Sequence, residues 1–316
     1  MKWSEANSDV MSFQEKDEIR FLGNLLGAYG AIPVSDPSYA LRAGLFAMGI
    51  GPGCEVMVPA FGRFTPGPEV FGVGARPSYV DVGADIVLTR ENLSRKLESE
   101  YKREGGFWVH RRRLWRLRAV IMTHPLGFSP FVDEIEDFAE EHGLILVDDA
   151  RCALGSRIWS TKRSAWIYAG SAGRFGVACC NGKGYLMSDD RGLLSLIIAQ
   201  MRSPGEDGLC TDALKEIRLE GLRKRKRLSE SLARAGIGEI PRIPNYCQTS
   251  CSEVLLITED DRDEIAEMIT EKGFLAETDF WPLSVMFSSD RQYGYRKGRC
   301  PESEDIARRA IAVRMK

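Results

Sequence analysis

A chain of 316 residues, 44% hydrophobic and 28% charged, is long enough to bury a large core and predicts one large domain with a smaller one. Its formal charge of −2 gives no sign of nucleic acid as a partner, and its eight cysteines are too sparse for a disulfide scaffold, which predicts reduced thiols. The longest apolar runs, such as Ala119 to Met122 and Leu196 to Ala199, fall far short of the roughly 20 residues that cross a bilayer, so no membrane partner is expected. A polar start at Lys2, Ser4, Glu5 and Asn7 lacks the pattern of a secretory signal, and the cytoplasm is the expected location.

In chain order, apolar positions three or four apart predict helices over Gln14–Tyr29 and Tyr39–Met48. Short Val- and Ile-rich segments then predict strands at Glu55–Pro59 and Ser78–Val82, followed by a helix at Glu91–Tyr101. The stretch Arg103 to Arg118 interrupts this order. It holds Arg111, Arg112, Arg113, Arg116 and Arg118 with Trp108 and Trp115 interleaved, and reads as a solvated hairpin or a surface for an anionic ligand. A strand at Ala119–Thr123, a helix at Val132–His142 and strands at Leu144–Asp148 and Tyr185–Ser188 resume the alternation. Such alternation predicts an α/β fold with a mainly parallel sheet wrapped by helices. After about Asp190 the pattern becomes helical, with a long charged helix near Asp212–Ala235, a strand at Glu253–Ile257 and a helix at Asp260–Lys272. A division into a large domain over 1–190 and a small α+β domain over 191–316 follows. No internal repeat or low-complexity tract is present.

Several segments form an ordered set: Gly51-Pro52-Gly53-Cys54-Glu55-Val56-Met57-Val58-Pro59-Ala60-Phe61, then Gly74-Ala75-Arg76-Pro77 and Val80-Asp81-Val82, then Thr123-His124-Pro125-Leu126-Gly127. Next come His142-Gly143-Leu144-Ile145-Leu146-Val147-Asp148-Asp149-Ala150 and, near the end, Gly273 to Thr278, Trp281-Pro282-Leu283 and Cys300-Pro301 with Glu304. This set resembles the DegT/DnrJ/StrS sugar aminotransferases over about residues 17 to 313, with "GPGDEV", "VH-x-x-G" and "HG-x-x-VVEDAAQA-x-G" as the family's counterparts. The resemblance implies an aspartate-aminotransferase-type fold, that of the pyridoxal-phosphate-dependent transferases. It also implies that coenzyme as cofactor, and a dimer formed with itself or with an active relative.

Pyridoxal phosphate is an electron sink, and a carboxylate keeps its ring nitrogen protonated. The resemblance puts Asp149 in that role, at the carboxyl end of a strand where ligands of open α/β sheets bind. From the residues alone Asp149 also reads as a strand-end aspartate capping the next helix. The coenzyme's chemistry further needs a lysine, which forms the Schiff base and moves the proton. In the family a serine lies five residues before that lysine and a glycine pair seven or eight after it. Aligning Ser171 with the serine puts Gly176 in the lysine slot; Lys183, in a Gly-Lys-Gly turn, is the nearby alternative.

Other positions implied to touch the coenzyme have drifted as well. The phosphate-holding "SGT" turn reads Asp36-Pro37-Ser38, in which proline removes an amide donor, Asp36 adds negative charge and Ser38 keeps a hydroxyl. A ring-covering pair reads Gly62-Arg63, and the family's glutamine and histidine after Asp149 read Cys152 and Leu154. Arg63 and Arg174 are expected to project toward the strand ends as an anion site, with Asp149 and Asp36 as counter-ions or as partners in a salt-bridged plug. His124 is expected near the sheet's carboxyl edge. With three histidines in the chain, no catalytic triad is expected around it. Cys179-Cys180 reads as buried small side chains or as a thiol beside the site. Cys247-x-x-x-Cys251 has no second Cys or His pair, and no metal is expected.

These readings predict a non-standard homologue that binds a small anionic or sugar-like ligand, or serves as a partner subunit. The alternative is an active sugar aminotransferase, or a lysine-less enzyme that still uses the coenzyme.

Overall fold

The computed structural model describes residues 30–83, 85–180, 183–201, 211–235, 237, 240–283 and 292–315. The helix expected at Gln14–Tyr29 lies outside them. The main sheet has nine strands: β1 (Gly30–Val34), β2 (Cys54–Pro59), β3 (Arg76–Val80), β4 (Tyr101–Glu104), β5 (Phe107–His110), β6 (Arg116–Thr123), β7 (Ile145–Ala150), β10 (Phe175–Cys180) and β11 (Lys183–Ser188). Its order is β1-β11-β10-β7-β6-β2-β3, and the run from β10 to β3 is parallel throughout. β11 and β1 close one edge antiparallel. The fold is thus the mainly parallel α/β sheet that the alternating pattern predicts.

Both faces of the parallel strands are buried, so they read as continuous apolar runs, and successive residues feed opposite layers. Met57, Val120, Met122 and Leu146 point to one face, where they meet α3 (Arg90–Glu100) through Leu93 and Leu97 and α4 (Val132–His142) through Val132, Ile135 and Phe138. Val56, Val58, Ala119, Ile121, Val147 and Val177 point to the other. There they meet α1 (Pro37–Ala47) through Leu41 and Leu45, α2 (Gly67–Gly72) through Val70 and α5 (Arg191–Gln200) through Leu193 and Ile197.

The arginine-rich stretch is a hairpin. β4 and β5 turn through Gly105 and Gly106, both at positive φ, which glycine adopts without steric cost. It is pinned from inside: the fully buried Glu55 carboxylate accepts from Arg113 Nε at 2.5 Å and from the Tyr101 hydroxyl at 2.5 Å. Arg103 and Arg116 lie over the Trp108 and Phe107 rings.

Two short sheets complete the molecule. β8 (Arg157–Ser160) lies between β9 (Ala165–Tyr168) and β12 (Cys247–Gln248). β15 (Ala310–Met315) lies between β13 (Val254–Ile257) and β14 (Phe274–Glu277), with α8 (Pro301–Arg309) leading into it. Against this last sheet pack α6 (Thr211–Arg234), through Leu228 and Leu232, and α7 (Arg262–Glu271), through Ile269. Among the described residues no helix is long and apolar enough to cross a membrane.

Candidate functional site

A cavity of about 650 Å3 opens at the carboxyl ends of the parallel strands, where Thr123 ends β6, Asp149 nears the end of β7 and Cys179 nears the end of β10. Such ends are the ligand-binding edge of an open α/β sheet. Helix α6 contributes Glu220 and Lys224, one turn apart, and Arg63 and Glu253 face them.

Asp149 is where sequence reasoning puts it, but its carboxylate is already committed. Arg151 donates from Nε to Oδ1 at 2.8 Å and from Nη2 to Oδ2 at 2.7 Å, a bidentate charge-assisted pair. The remaining Nη1 donates to Ser38 Oγ at 2.7 Å and to Glu69 of α2. One guanidinium therefore ties together the end of β7, the start of α1 and α2. Burial on its own would lower the Arg151 pKa; Asp149 and Glu69 outweigh it and hold the group above its ordinary value. The second Glu69 oxygen, Oε2, is buried and has no hydrogen-bond partner among the described residues.

The start of α1 is closed as well. Asp36 caps the helix and accepts from the Ser38 and Tyr39 amides at 2.9 and 3.0 Å, and Pro37 brings no N–H. Donors that would otherwise face an anion at this helix end are taken by the protein's own carboxylate. Cys152 lines the cavity, where burial, with Asp149 adding to it, pushes its thiol up to about 12. It is a protonated, weakly nucleophilic thiol at neutral pH.

The expected anion site of paired guanidiniums is not formed. Arg63 does line the cavity, but it is bound to Glu253 at 2.7 Å and to Glu277. Arg174 lies at the wrong end of the sheet. β10 runs parallel to β7 with Val177 opposite Asp149, so Arg174 stands three residues, roughly 10 Å, back toward the amino ends. There it pairs with Asp190 at 2.5 Å, its side chain 59% exposed. An exposed pair of this kind contributes little. Arg174→Ala is expected to change the unfolding free energy by less than about 1 kcal/mol, measured by urea denaturation.

His124 is at the carboxyl edge, as expected, and it stands between Asp148 and Ser129. Nε2 lies 2.6 Å from Asp148 Oδ1 and Nδ1 lies 2.9 Å from Ser129 Oγ. One consistent assignment has Nε2–H donating to Asp148 and Ser129 donating to Nδ1, with the Cys247 thiol donating to Ser129 Oγ at 3.5 Å. Ser129 is fully buried and does not line the cavity, so this Asp–His–Ser series is a scaffold. The other Asp148 oxygen accepts from the Gly170 and Ala172 amides at 2.7 and 3.1 Å, which fixes the turn before β10. Ser171 belongs to that turn; its hydroxyl donates to Tyr168 O at 2.6 Å and it does not line the cavity.

Gly176 is the second residue of β10 and cannot carry a side chain. A Cβ there would lie 2.0 Å from Gly170 O and 2.8 Å from Asp148 O, both backbone atoms. Lys183 opens β11, and its side chain falls outside the described part of the structure. Among the described residues lining the cavity the lysine is Lys224, which pairs with Glu220 at 2.5 Å.

Sequence reasoning missed Arg151, Glu69, Glu220, Lys224 and Arg314 of the cavity and its surroundings. For Arg151 a signal was present, since the run Asp148-Asp149-Ala150-Arg151-Cys152 has arginine where the "EDAAQ" pattern has its second alanine.

The sequence model of the DegT/DnrJ/EryC1/StrS aminotransferase family matches residues 11–177. The L-glutamine:2-deoxy-scyllo-inosose aminotransferase of Streptomyces fradiae is 29% identical over 157 residues, which are 50% of this chain and 34% of that protein. The UDP-4-amino-4-deoxy-L-arabinose–oxoglutarate aminotransferase of Shewanella sediminis is 30% identical over 129 residues, 41% of this chain and 29% of that one. The match thus spans about a third of the length of these curated relatives. Among solved structures, a DegT DnrJ EryC1 StrS aminotransferase from Brucella abortus superposes with a TM-score of 0.76 at 19% identity, covering 96% of this chain and 86% of the other. The PLP-form of the sugar aminotransferase Spr1654 from Streptococcus pneumoniae does so at 0.73 and 16%, covering 96% and 86%. At such identities these likenesses concern the fold.

Proposed function

The chain belongs to the DegT/DnrJ/EryC1/StrS aminotransferase family, and on that premise we propose that it is a ligand-binding pseudoenzyme that ties no coenzyme to a lysine. The observation that carries this reading is the course of β10 and β11. One ends at Cys180 and the other begins at Lys183, so two residues join them, and Gly176 is enclosed by backbone. Among the described residues, the family's lysine slot falls within a strand, with Gly176 paired to Asp148 of β7.

The residues present fit pyridoxal phosphate poorly. Its ring nitrogen needs the carboxylate that Arg151 holds, its phosphate needs the helix amides that Asp36 holds, and Cys152 stands in place of a polar amide. What remains is a cavity whose lining cations Arg63, Arg151, Lys224 and Arg314 each face a carboxylate partner. Paired charges of this kind suit a neutral, sugar-like molecule better than a phosphorylated one. The reading includes pairing, with a second copy or with an active relative, because the family builds its active sites at a two-fold interface.

A second reading rests on Lys224, whose amine lines the same cavity as Asp149 and could replace the missing lysine in an active enzyme. Incubation with pyridoxal phosphate, borohydride reduction and peptide mass spectrometry separate the two. The expected outcome is no stoichiometric adduct on any lysine, whereas a one-to-one adduct on Lys224 or Lys183 overturns the proposal in favour of catalysis.

A further inference from the structure

We infer that Arg151 is the residue that closes this site to a pyridoxal-type ring, acting as a built-in occupant of the place the ring nitrogen would need. This deepens the reading above and rests on its placement of Asp149. Three observations carry it. Both Asp149 oxygens are bound by the same guanidinium, at 2.8 and 2.7 Å, and Oδ1 also faces the Arg151 backbone N–H at 3.3 Å, so a pyridinium N–H would have to displace the guanidinium or settle for the outer side of Oδ2. The guanidinium is anchored at its far side on Ser38 and Glu69, so it cannot swing away without breaking contacts to two other elements. The cluster is also one charge short: Asp149 and Glu69 carry two negative charges against the single positive charge of Arg151, and Glu69 Oε2 has no partner among the described residues. A dianionic phosphate brought toward Ser38 would meet that uncompensated carboxylate and the one on Asp36 instead of spare donors.

An arginine tethered two residues from its carboxylate competes as an intramolecular ligand, at an effective concentration that free coenzyme does not match. Selectivity against the coenzyme is then a property of one side chain, separable from the missing lysine. The probe that separates them is pyridoxamine 5′-phosphate, which has the ring nitrogen and the phosphate but cannot form an imine with any lysine.

Calorimetric titration with pyridoxamine 5′-phosphate is expected to give no Asp149-dependent binding to the wild-type protein. Arg151→Ala/Glu69→Gln should bind at least about tenfold more tightly, and adding Asp149→Ala to it should abolish the gain. The double variant is used beside Arg151→Ala because it leaves one buried charge fewer and so keeps its fold more readily, checked by circular dichroism. Wild-type binding that Asp149→Ala abolishes overturns the inference, whatever the borohydride experiment shows. A folded double variant that gains nothing also overturns it and moves the closure to Asp36.

Discussion

Arg151→Ala is expected to lower the unfolding free energy by about 3–5 kcal/mol, the usual cost of removing one partner from a buried ion pair. The substitution leaves Asp149, 5% exposed, and Glu69, 8% exposed, as uncompensated buried carboxylates, and strips Ser38 of its donor. The loss is a large share of the roughly 5–15 kcal/mol that holds a domain together, so the variant should unfold at markedly lower urea concentration. Arg151→Lys keeps the charge but has one ammonium in place of a planar fork. It cannot bind both Asp149 oxygens, Ser38 and Glu69 at once, and should recover only part of the stability. Urea midpoints for both variants that stay at the wild-type value would show that the cluster holds nothing together.

Gly176→Ala is expected to cost at least the upper end of the ~1–3 kcal/mol typical of overpacking, and to reduce soluble yield. The added Cβ meets the Gly170 carbonyl at 2.0 Å, its carbon at 2.7 Å and the Asp148 carbonyl at 2.8 Å, and backbone in a sheet cannot rotate aside as a side chain can. Relief would require β10 to part from β7 or the turn at Gly170 to move, and that turn is held by Asp148. Gly176→Lys should likewise yield misfolded protein and no amine at the sheet edge. Gly51→Ala is the control, because its Cβ would meet nothing nearer than Val73 O at 3.5 Å. Equal thermal stability of Gly176→Ala and Gly51→Ala would contradict this account of β10.

Much of the fold is legible in the chain because strand and helix periods leave separate marks. The helix at Val132–His142 is found with the bounds its spacing predicts, and the expected strands at Glu55–Pro59, Ala119–Thr123 and Leu144–Asp148 overlap β2, β6 and β7. Other strands left no mark of their own. β8 and β9 are four residues long, too short for a period to show, and β15 follows α8 without a break, so its pattern merges with the helix. β10 escaped because Gly176, Ala178 and the two cysteines carry little hydrophobic signal; what marks it is close backbone packing.

Three things can be read from the chain directly: the sheet is mainly parallel, Asp149 stands at a strand's carboxyl end, and α1 begins at an Asp-Pro-Ser turn. These are local facts, written in runs of a few neighbouring residues. What those groups do is set by contacts across the fold. Arg151 finds Glu69 and Ser38 at sequence separations of 82 and 113, so no short-range pattern announces the cluster. Arg174 was expected at the site because it lies near the lysine slot in sequence, yet the direction and register of β10 put it at the opposite end of the sheet. Periodicity reports which face of an element is buried. It is silent about register and about which distant carboxylate a guanidinium will reach, and in this protein those two things set which charges line the cavity.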